Sequence, residues 1–296
     1  MTFYQLAHQW LVYYHKPLVG AKTYHDTKRR LALCVYPKIG NQECNMVTPK
    51  QVYDVLQIAA KTSAYNAKRI AQNINAIYVF GGILGYASIN PAYALSRFLP
   101  KVVIKHRPHL PIEQLPKLLQ AVDKTQGGAG LAAFWLIVYT AVRRSEACHA
   151  KRHEFDLDTG VWTVPASRMK MRNTHSVPLS PQVIKILQAE FARVDSPWAF
   201  ASPHHGGMQH INNWTPLYLI RRAGFAKAQS LHGFRHQFST HAHDNGWSPD
   251  VIELCLAHKI HGVRGVYNHA RMMDKRAELM AWWANEIDGW RDSNVC

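Results

Sequence analysis

Six residues between positions 143 and 267 are of types that could together cleave and rejoin a phosphodiester. Two arginines, a lysine and two histidines can surround one phosphate with positive charge and hydrogen-bond donors. A tyrosine nine residues after the second of these histidines supplies an oxygen nucleophile. The phosphotyrosine ester that it forms would conserve the energy of the broken bond, so that the strand can be rejoined. The six residues are Arg143, Lys170, His232, Arg235, His258 and Tyr267.

The local sequence around each residue indicates how it could be positioned. Arg143 lies in TAVRRSE, at the end of an apolar helix, and Glu146 three residues later could pair with it and orient it. Lys170 lies in a basic turn between two short predicted strands, where a mobile ammonium could act as a general acid. The alternative for this turn is a basic hairpin that touches the minor groove. His232 and Arg235 are spaced i, i+3 at a helix start and therefore share one face.

These motifs, in this order, resemble the tyrosine recombinase (phage integrase) family. The resemblance covers nearly the whole chain. The sequence is similar to the integrases of prophages and genomic islands. It is carried by WTVPASRMK, by HGFRHQFSTHAHDNGWSPDVIELCLAHK, and by YNHA followed by Trp282 and Trp283. Two departures are alanine at position 141, where the family most often has glycine, and a chain that begins where the family's core-binding domain begins. An N-terminal arm-binding domain is therefore expected to be lacking.

The resemblance implies a role for each of the six residues. Arg143 and Arg235 would hold the phosphate, and Lys170 would protonate the leaving 5′ oxygen. His258 would donate a hydrogen bond to a non-bridging oxygen. His232 would be a hydrogen-bonding partner or proton acceptor near the tyrosine. Tyr267 would become linked to the 3′ phosphate.

The overall composition fits a polyanionic partner. The chain has 296 residues, a formal net charge of +16 and 18 histidines. This charge alone leaves membrane surfaces and RNA open as partners. The sequence has neither a long apolar run nor a secretory signal, which predicts a cytoplasmic protein without membrane association.

Metal ions, nucleotides and other cofactors are not expected. The five cysteines are scattered without CxxC spacing, which implies neither a disulfide framework nor a zinc site. His232 and His236 have HxxxH spacing, but the glutamate of a zinc hydrolase motif is missing between them. No GxxxxGK[ST] phosphate loop is present, so ATP is not expected to be used.

The pattern of helices and breakers predicts a mainly α fold with two domains. Residues 1–98 would form a helical core-binding (SAM-like) domain, residues 99–111 a basic linker, and residues 112–296 an α+β catalytic domain with a small antiparallel sheet and a C-terminal helix. In the first domain, we expect Lys16-Pro17 to break helix one and Pro37 with Gly40 to end a helix begun at Lys22. Thr48 should cap a third helix and Ser63 should begin a fourth.

Basic residues outside the six-residue set are candidates for DNA contacts. Those on the fourth helix could instead form a solvated face, and those in the linker could belong to an inert connector. The residues predicted to contact DNA are Lys61, Lys68, Arg69, Lys101, Lys105, Arg107, Arg168 and Arg172.

The expected function is site-specific recombination of double-stranded DNA at core sites, in the integration or excision of a mobile element. The resemblance implies a tetramer on DNA, DNA-bending or directionality proteins as accessory partners, and a C-terminal helix that docks on a neighbouring protomer. Packing of this helix on its own domain is the alternative. Two other functions stay open: a catalytically silent DNA-binding regulator of the same fold, and a simple topoisomerase that acts as a monomer.

Overall fold

The structure is a computed structural model that describes residues 1–103, 107–258 and 272–293. The chain divides into two compact units, Met1–Lys105 and His106–Cys296. Each unit has its own hydrophobic core. The roles predicted for the two domains, core binding and catalysis, stay predictions.

The first unit is a bundle of helices, three of which begin with a side-chain cap. α1 (Phe3–Gln9) begins with a capping box between Thr2 and Gln5. α2 (Ala21–Arg30) follows, and α3 (Pro49–Thr62) begins with a second capping box between Thr48 and Gln51. α4 (Ala64–Ile83) is capped by the Ser63 hydroxyl, which accepts a hydrogen bond from the amide of Asn66. The helix starts predicted at Thr48 and Ser63 are confirmed, and α2 begins one residue before the predicted Lys22.

Two prolines in the first unit lie in the last turns of the helices that they were expected to end. The helix of α1 continues as a π-helical segment (Trp10–His15) and a last turn (Lys16–Leu18) that contains Pro17. α2 likewise continues as a π-helical segment (Leu31–Val35) and a last turn (Tyr36–Ile39) that contains Pro37, with Gly40 as C-cap. Both helices therefore end where predicted, at Leu18 just after Lys16-Pro17 and at Ile39 just before Gly40. Each proline fits into its last turn because the turn before it is wider, closed by an i→i−5 bond such as Tyr36 N–H to the Leu31 carbonyl.

The second unit is built around α6 (Gly128–Thr140), a helix that is apolar on all sides. Its ten buried residues pack among surrounding helices, which is why this segment lacks an amphipathic pattern. The surrounding helices are α5 (Leu115–Asp123), α7 (Arg144–Cys148), α8 (Pro181–Arg193), α9 (Thr215–Arg222), α10 (Leu231–Asp244), α11 (Pro249–Cys255) and α12 (Met273–Asp292). Short 3₁₀ turns are Cys44–Met46 and Leu95–Phe98 in the first unit, and Ile112–Gln114, Arg152–Glu154, Ala166–Arg168 and Pro203–His205 in the second.

A three-stranded antiparallel sheet accompanies the helices of the second unit. Its strands are β1 (Phe155–Asp156), β2 (Val161–Val164) and β3 (His175–Pro178), in the order β1-β2-β3. Val164 pairs with His175, so residues 165–174 form the loop between β2 and β3. β2 and β3 confirm the predicted strands, whereas β1 was missed because two residues are too short for an alternating pattern.

The C-terminal helix α12 packs on its own unit. Leu279, Met280, Trp283, Ala284 and Ile287 are at most 2% exposed and belong to the core of the second unit. The Trp283 indole N–H donates to the carbonyl of Val138 on α6 at 2.8 Å. The expectation that this helix docks on a neighbouring protomer is therefore wrong for these side chains, because they already fill the core of their own unit.

Within the three described ranges, no helix has both the length and the apolar character needed to cross a membrane.

Candidate active site

Arg143 lies in the turn between α6 and α7, where a buried carboxylate holds it. Its Nη1 donates to Glu146 Oε1 at 2.8 Å, and its backbone N–H donates to Glu146 Oε2 at 2.8 Å. Glu146 is 2% exposed, and its side chain thus fixes both the backbone and the guanidinium of Arg143. This pairing is the one that the i, i+3 spacing predicted.

Ala141 gives this turn an uncommon backbone conformation. Its φ is +50°, in the left-handed region, which costs an L-residue other than glycine roughly 1–2 kcal/mol. Ala141 is fully buried, and its conformation ends α6 sharply. The position therefore suits glycine better than alanine, because glycine has no Cβ to oppose a positive φ.

Arg235 on α10 connects this turn to a second one. It is 5% exposed, and Nη1 donates to the carbonyl of Ala141 while Nη2 donates to the carbonyl of Leu256 at 2.7 Å. Burial, together with the neighbouring Arg143, lowers the pKa of Arg235 to about 10. The side chain remains charged at neutral pH and braces two loops that come from distant parts of the sequence.

His258 follows the second of these loops. Ala257 has a φ of +52°, and the N–H of His258 bonds to the carbonyl of Glu253, which closes α11 with a Schellman turn. The His258 Nδ1 lies 2.8 Å from Glu253 Oε2, and Nε2 lies 3.4 Å from Arg235 Nη2. A carboxylate accepts a hydrogen bond from Nδ1–H and cannot donate one, so this partner orients the ring and leaves Nε2 facing Arg235.

Sequence reasoning missed Glu253. The signal that could have found it is a carboxylate five residues before His258, on a helix that ends between the two. The Schellman turn folds the chain back and brings such a pair together.

His232 lies one helical turn before Arg235 on α10. Burial lowers its pKa below the ordinary value of 6.5, and the positive charges of Arg235, Arg107 and Arg143 lower it further. The imidazole is therefore neutral at pH 7 and able to accept a proton or a hydrogen bond.

A cavity of about 330 Å³ in the second unit brings several of the predicted residues together. Arg143, His232 and Arg235 line it, and so do Arg107, Arg144 and Trp214. His258 joins this group through its contact with Arg235. Guanidinium groups and a neutral imidazole around one cavity can neutralise the charge that develops on a phosphate in a displacement reaction.

Lys170 lies outside this set of cavity-lining residues, on the exposed loop between β2 and β3. Met169 before it is buried, and its carbonyl accepts a hydrogen bond from the N–H of Arg172, whose φ is +54°. Met169 thus fixes the base of the turn and leaves the lysine side chain in solvent. Arg172 is also exposed, and its contact with DNA stays a prediction.

Arg168 has a different environment from the one expected of a DNA-contacting residue. Its side chain is 17% exposed, forms an ion pair with the buried Glu154, and donates from Nη1 to the carbonyl of Glu146 at 3.1 Å. The prediction of a DNA contact is corrected here, because this guanidinium is occupied inside the protein. Arg168 instead ties the Lys170 loop to the helix that carries Glu146.

The other predicted DNA contacts are exposed where they are described. Lys61, Lys68 and Lys101 lie on the surface of the first unit, and Arg69 packs against the Tyr65 ring at 5.4 Å. Arg107 is exposed in the second unit. Two predicted residues, Lys105 and Tyr267, lie outside the described residues.

His175 at the start of β3 is a buried imidazole next to the site. It is 7% exposed, and burial lowers its pKa to about 3, with Arg276, Arg235 and Arg143 acting in the same direction. The ring is therefore neutral in the folded protein at any pH near neutrality.

This buried imidazole predicts a loss of stability in mild acid. The unfolded chain takes up a proton at His175 below pH 6.5, whereas the folded protein does so only near pH 3. Between these values the free energy of unfolding should fall by about 1.4 kcal/mol per pH unit from this group alone. Between pH 6.5 and 5, the free energy of unfolding of His175→Gln should therefore fall by about 2 kcal/mol less than that of the unsubstituted protein, as measured by urea unfolding. The exposed His153→Gln is the control, and an equal pH dependence in both variants would contradict the assignment.

No group of three or more histidine, cysteine or acidic side chains suited to a metal ion is found in the part of the chain that the structure describes.

Two family models match the sequence. Residues 109–273 match the phage integrase family, and residues 3–97 match the phage integrase central domain. The integrase of Shigella phage Sf6 is 33% identical over 86% of this chain and 67% of its own length.

The fold resembles solved integrase structures. The Tn1549 transposon integrase, in complex with a circular intermediate DNA, superimposes with a TM-score of 0.73 at 14% identity, over 93% of this chain and 99% of that one. A lambda integrase tetramer bound to a Holliday junction gives a TM-score of 0.70 at 16% identity, over 88% of this chain and 78% of that one. These identities establish a shared fold, and the family matches establish membership: this chain belongs to the phage integrase family and has the fold of a tyrosine recombinase.

Proposed function

We propose that this chain is a site-specific DNA recombinase that cleaves and rejoins strands through a 3′-phosphotyrosine intermediate. One observation carries the proposal. Arg143, His232 and Arg235 line a single cavity, and His258 contacts Arg235, so four of the six candidate residues converge on one place. Family membership supplies the class of reaction.

The described residues support a division of labour around one scissile phosphate. Arg143, oriented by Glu146, and Arg235, fixed by two backbone carbonyls, would neutralise the non-bridging oxygens. His258, oriented by Glu253 through Nδ1, would donate a hydrogen bond from Nε2 to a non-bridging oxygen, which requires the doubly protonated ring. The neutral His232 would accept the proton that the attacking tyrosine loses.

Two further residues complete the proposed reaction. Tyr267 would attack the phosphorus, and the 5′ oxygen would leave as the phosphotyrosine bond forms. Lys170, on its solvent-exposed loop, would give a proton to that oxygen and must move toward the DNA to do so. The phosphotyrosine ester stores the energy of the broken bond, so rejoining needs no ATP.

We propose that the reaction also needs no metal ion. Arginines supply the charge at this cavity, and cationic side chains that line a site disfavour a bound cation. The partner would be double-stranded DNA carrying core sites, and the protein would act in the cytoplasm on a mobile element. Four copies would assemble on two duplexes, as lambda integrase does on a Holliday junction, and proteins that bend DNA would assist.

The test is covalent capture. The full chain is incubated in EDTA, without ATP, with nicked suicide duplexes cut from DNA that flanks its gene. We expect a denaturant-resistant protein–DNA band that is lost in Tyr267→Phe and kept in Tyr218→Phe, an exposed tyrosine of the second unit. A band that persists in Tyr267→Phe would assign the nucleophile elsewhere.

Binding without any band, on fragments that the protein retains in a gel-shift assay, would contradict the recombinase proposal and favour a catalytically silent regulator. A band that requires added magnesium would contradict the metal-independent mechanism while leaving the nucleophile in place.

A further inference from the structure

The candidate active site contains more cationic side chains than its proposed reaction uses. Arg107 and Arg144 line the same cavity as Arg143 and Arg235. Arg143 has the Glu146 carboxylate, whereas no described carboxylate lies within ion-pair distance of Arg107 or Arg144. Like charges confined in one cavity repel each other, so an anionic ligand at this place would stabilise the arrangement.

Arg144 is held in place by an aromatic ring. Its guanidinium carbon lies 4.4 Å from the centre of the Trp214 ring, which is a close cation–π contact. Trp214 is 51% exposed and also lines the cavity, at the N-terminus of α9. The ring holds the guanidinium at the wall of the cavity, and among the described residues no carboxylate pairs with it.

The adjacent Arg143 fixes the direction in which Arg144 departs. Arg143 is the N-cap of α7 and Arg144 is its first residue, so consecutive side chains leave the helix start in different directions. One guanidinium turns to Glu146 and the other to Trp214. Two arginines that diverge in this way from one turn suit two different phosphates better than one.

We propose that Arg144, seated on Trp214, forms with Arg107 a second phosphate subsite that binds the phosphodiester next to the cleaved one on the same strand. This inference rests on the proposed function, since it takes DNA as the ligand. Neighbouring phosphates of one strand follow each other by about 3.4 Å along the duplex axis, so a site for one phosphate brings the next within reach of adjacent side chains. The subsite would set which phosphate reaches the catalytic arginines.

The experiment measures DNA binding in the Tyr267→Phe background, so that no strand is cut. Arg144→Ala is compared with Lys151→Ala, which also removes one positive charge and one cation–π contact, here on Trp198 at 5.6 Å and outside the cavity. We expect Arg144→Ala to weaken binding about tenfold and to reduce the slope of log K against log salt by about 1, with Lys151→Ala unchanged within about twofold.

A scan with single methylphosphonates then locates the contact. In the background protein, neutralising the cleaved phosphate and one neighbour should each weaken binding about tenfold. In Arg144→Ala, sensitivity should disappear at the neighbour and remain at the cleaved position. Trp214→Leu, which keeps the arginine, should reduce sensitivity at the same neighbour.

Identical methylphosphonate profiles in Arg144→Ala and the background protein would overturn the second subsite. This outcome is separate from failure of the proposed function, because covalent capture by the wild-type chain does not depend on it. If the chain binds no DNA, both the second subsite and the proposed function are contradicted.

Discussion

Replacing Arg235 by lysine is expected to slow strand cleavage by about 10²- to 10³-fold and to lower the free energy of unfolding of the second unit by about 2–4 kcal/mol. The guanidinium donates to the carbonyls of Ala141 and Leu256 at once, and it approaches His258 at 3.4 Å. A single ammonium cannot reach all three directions. At least one buried carbonyl would lose its donor, and the turns that carry Arg143 and His258 would lose their common support.

Cleavage is measured as a single-turnover rate on a suicide duplex, and stability is measured by denaturant unfolding. Arg193→Lys is the matched control, because Arg193 forms a two-point ion pair with Glu190 away from the cavity and is 43% exposed. For this control, we expect the free energy of unfolding to fall by less than about 1 kcal/mol and the cleavage rate to stay unchanged. Equal effects of the two substitutions would mean that Arg235 has no special bracing role.

Deleting residues 272–296 is expected to unfold the second unit. The deletion removes α12, whose buried face includes Leu279, Trp283 and Ile287. Burial of a large apolar side chain contributes about 1.5–3 kcal/mol, so the four large buried apolar residues of α12 together match the whole stability of a typical domain, about 5–15 kcal/mol. Circular dichroism should show lost helix and no cooperative transition for this unit.

A single substitution in α12 tests the same packing without deleting residues. Trp283→Ala should lower the free energy of unfolding by about 3–5 kcal/mol, since the ring is fully buried and its indole N–H donates a hydrogen bond to the Val138 carbonyl. Glu278→Ala, at an exposed position of the same helix, should change stability by less than about 0.5 kcal/mol. If the truncated protein kept a cooperative unfolding transition for the second unit and lost only assembly on paired sites, α12 would be an element that docks between protomers after all.

Local rules made much of the first unit predictable. A hydroxyl followed three residues later by glutamine gave both capping boxes, and isoleucines at helical spacing gave the buried face of α4, where Ile70, Ile74 and Ile77 are fully buried. The pairing of Arg143 with Glu146 was predictable for the same reason, because both residues lie within one turn.

Contacts between distant segments were not predictable in this way. Arg168 forms an ion pair with Glu154 and donates to the Glu146 carbonyl, and both partners are distant in the sequence. The sequence therefore suggested an unpaired basic residue. The wider turns before Pro17 and Pro37 were not predictable either, because helix propensity describes an α-helix and not a π-helical segment. The own-unit packing of α12 likewise depends on its fit against α6.

The two left-handed alanines, Ala141 and Ala257, have a consequence for how the site can change. Ala141 offers its carbonyl to Arg235, and Ala257 follows the residue whose carbonyl accepts from the same guanidinium. Substitutions at the two turns therefore act on a shared donor, and their energies should couple instead of adding. Each position sets the background against which the other is selected, so the two turns are expected to vary as a pair.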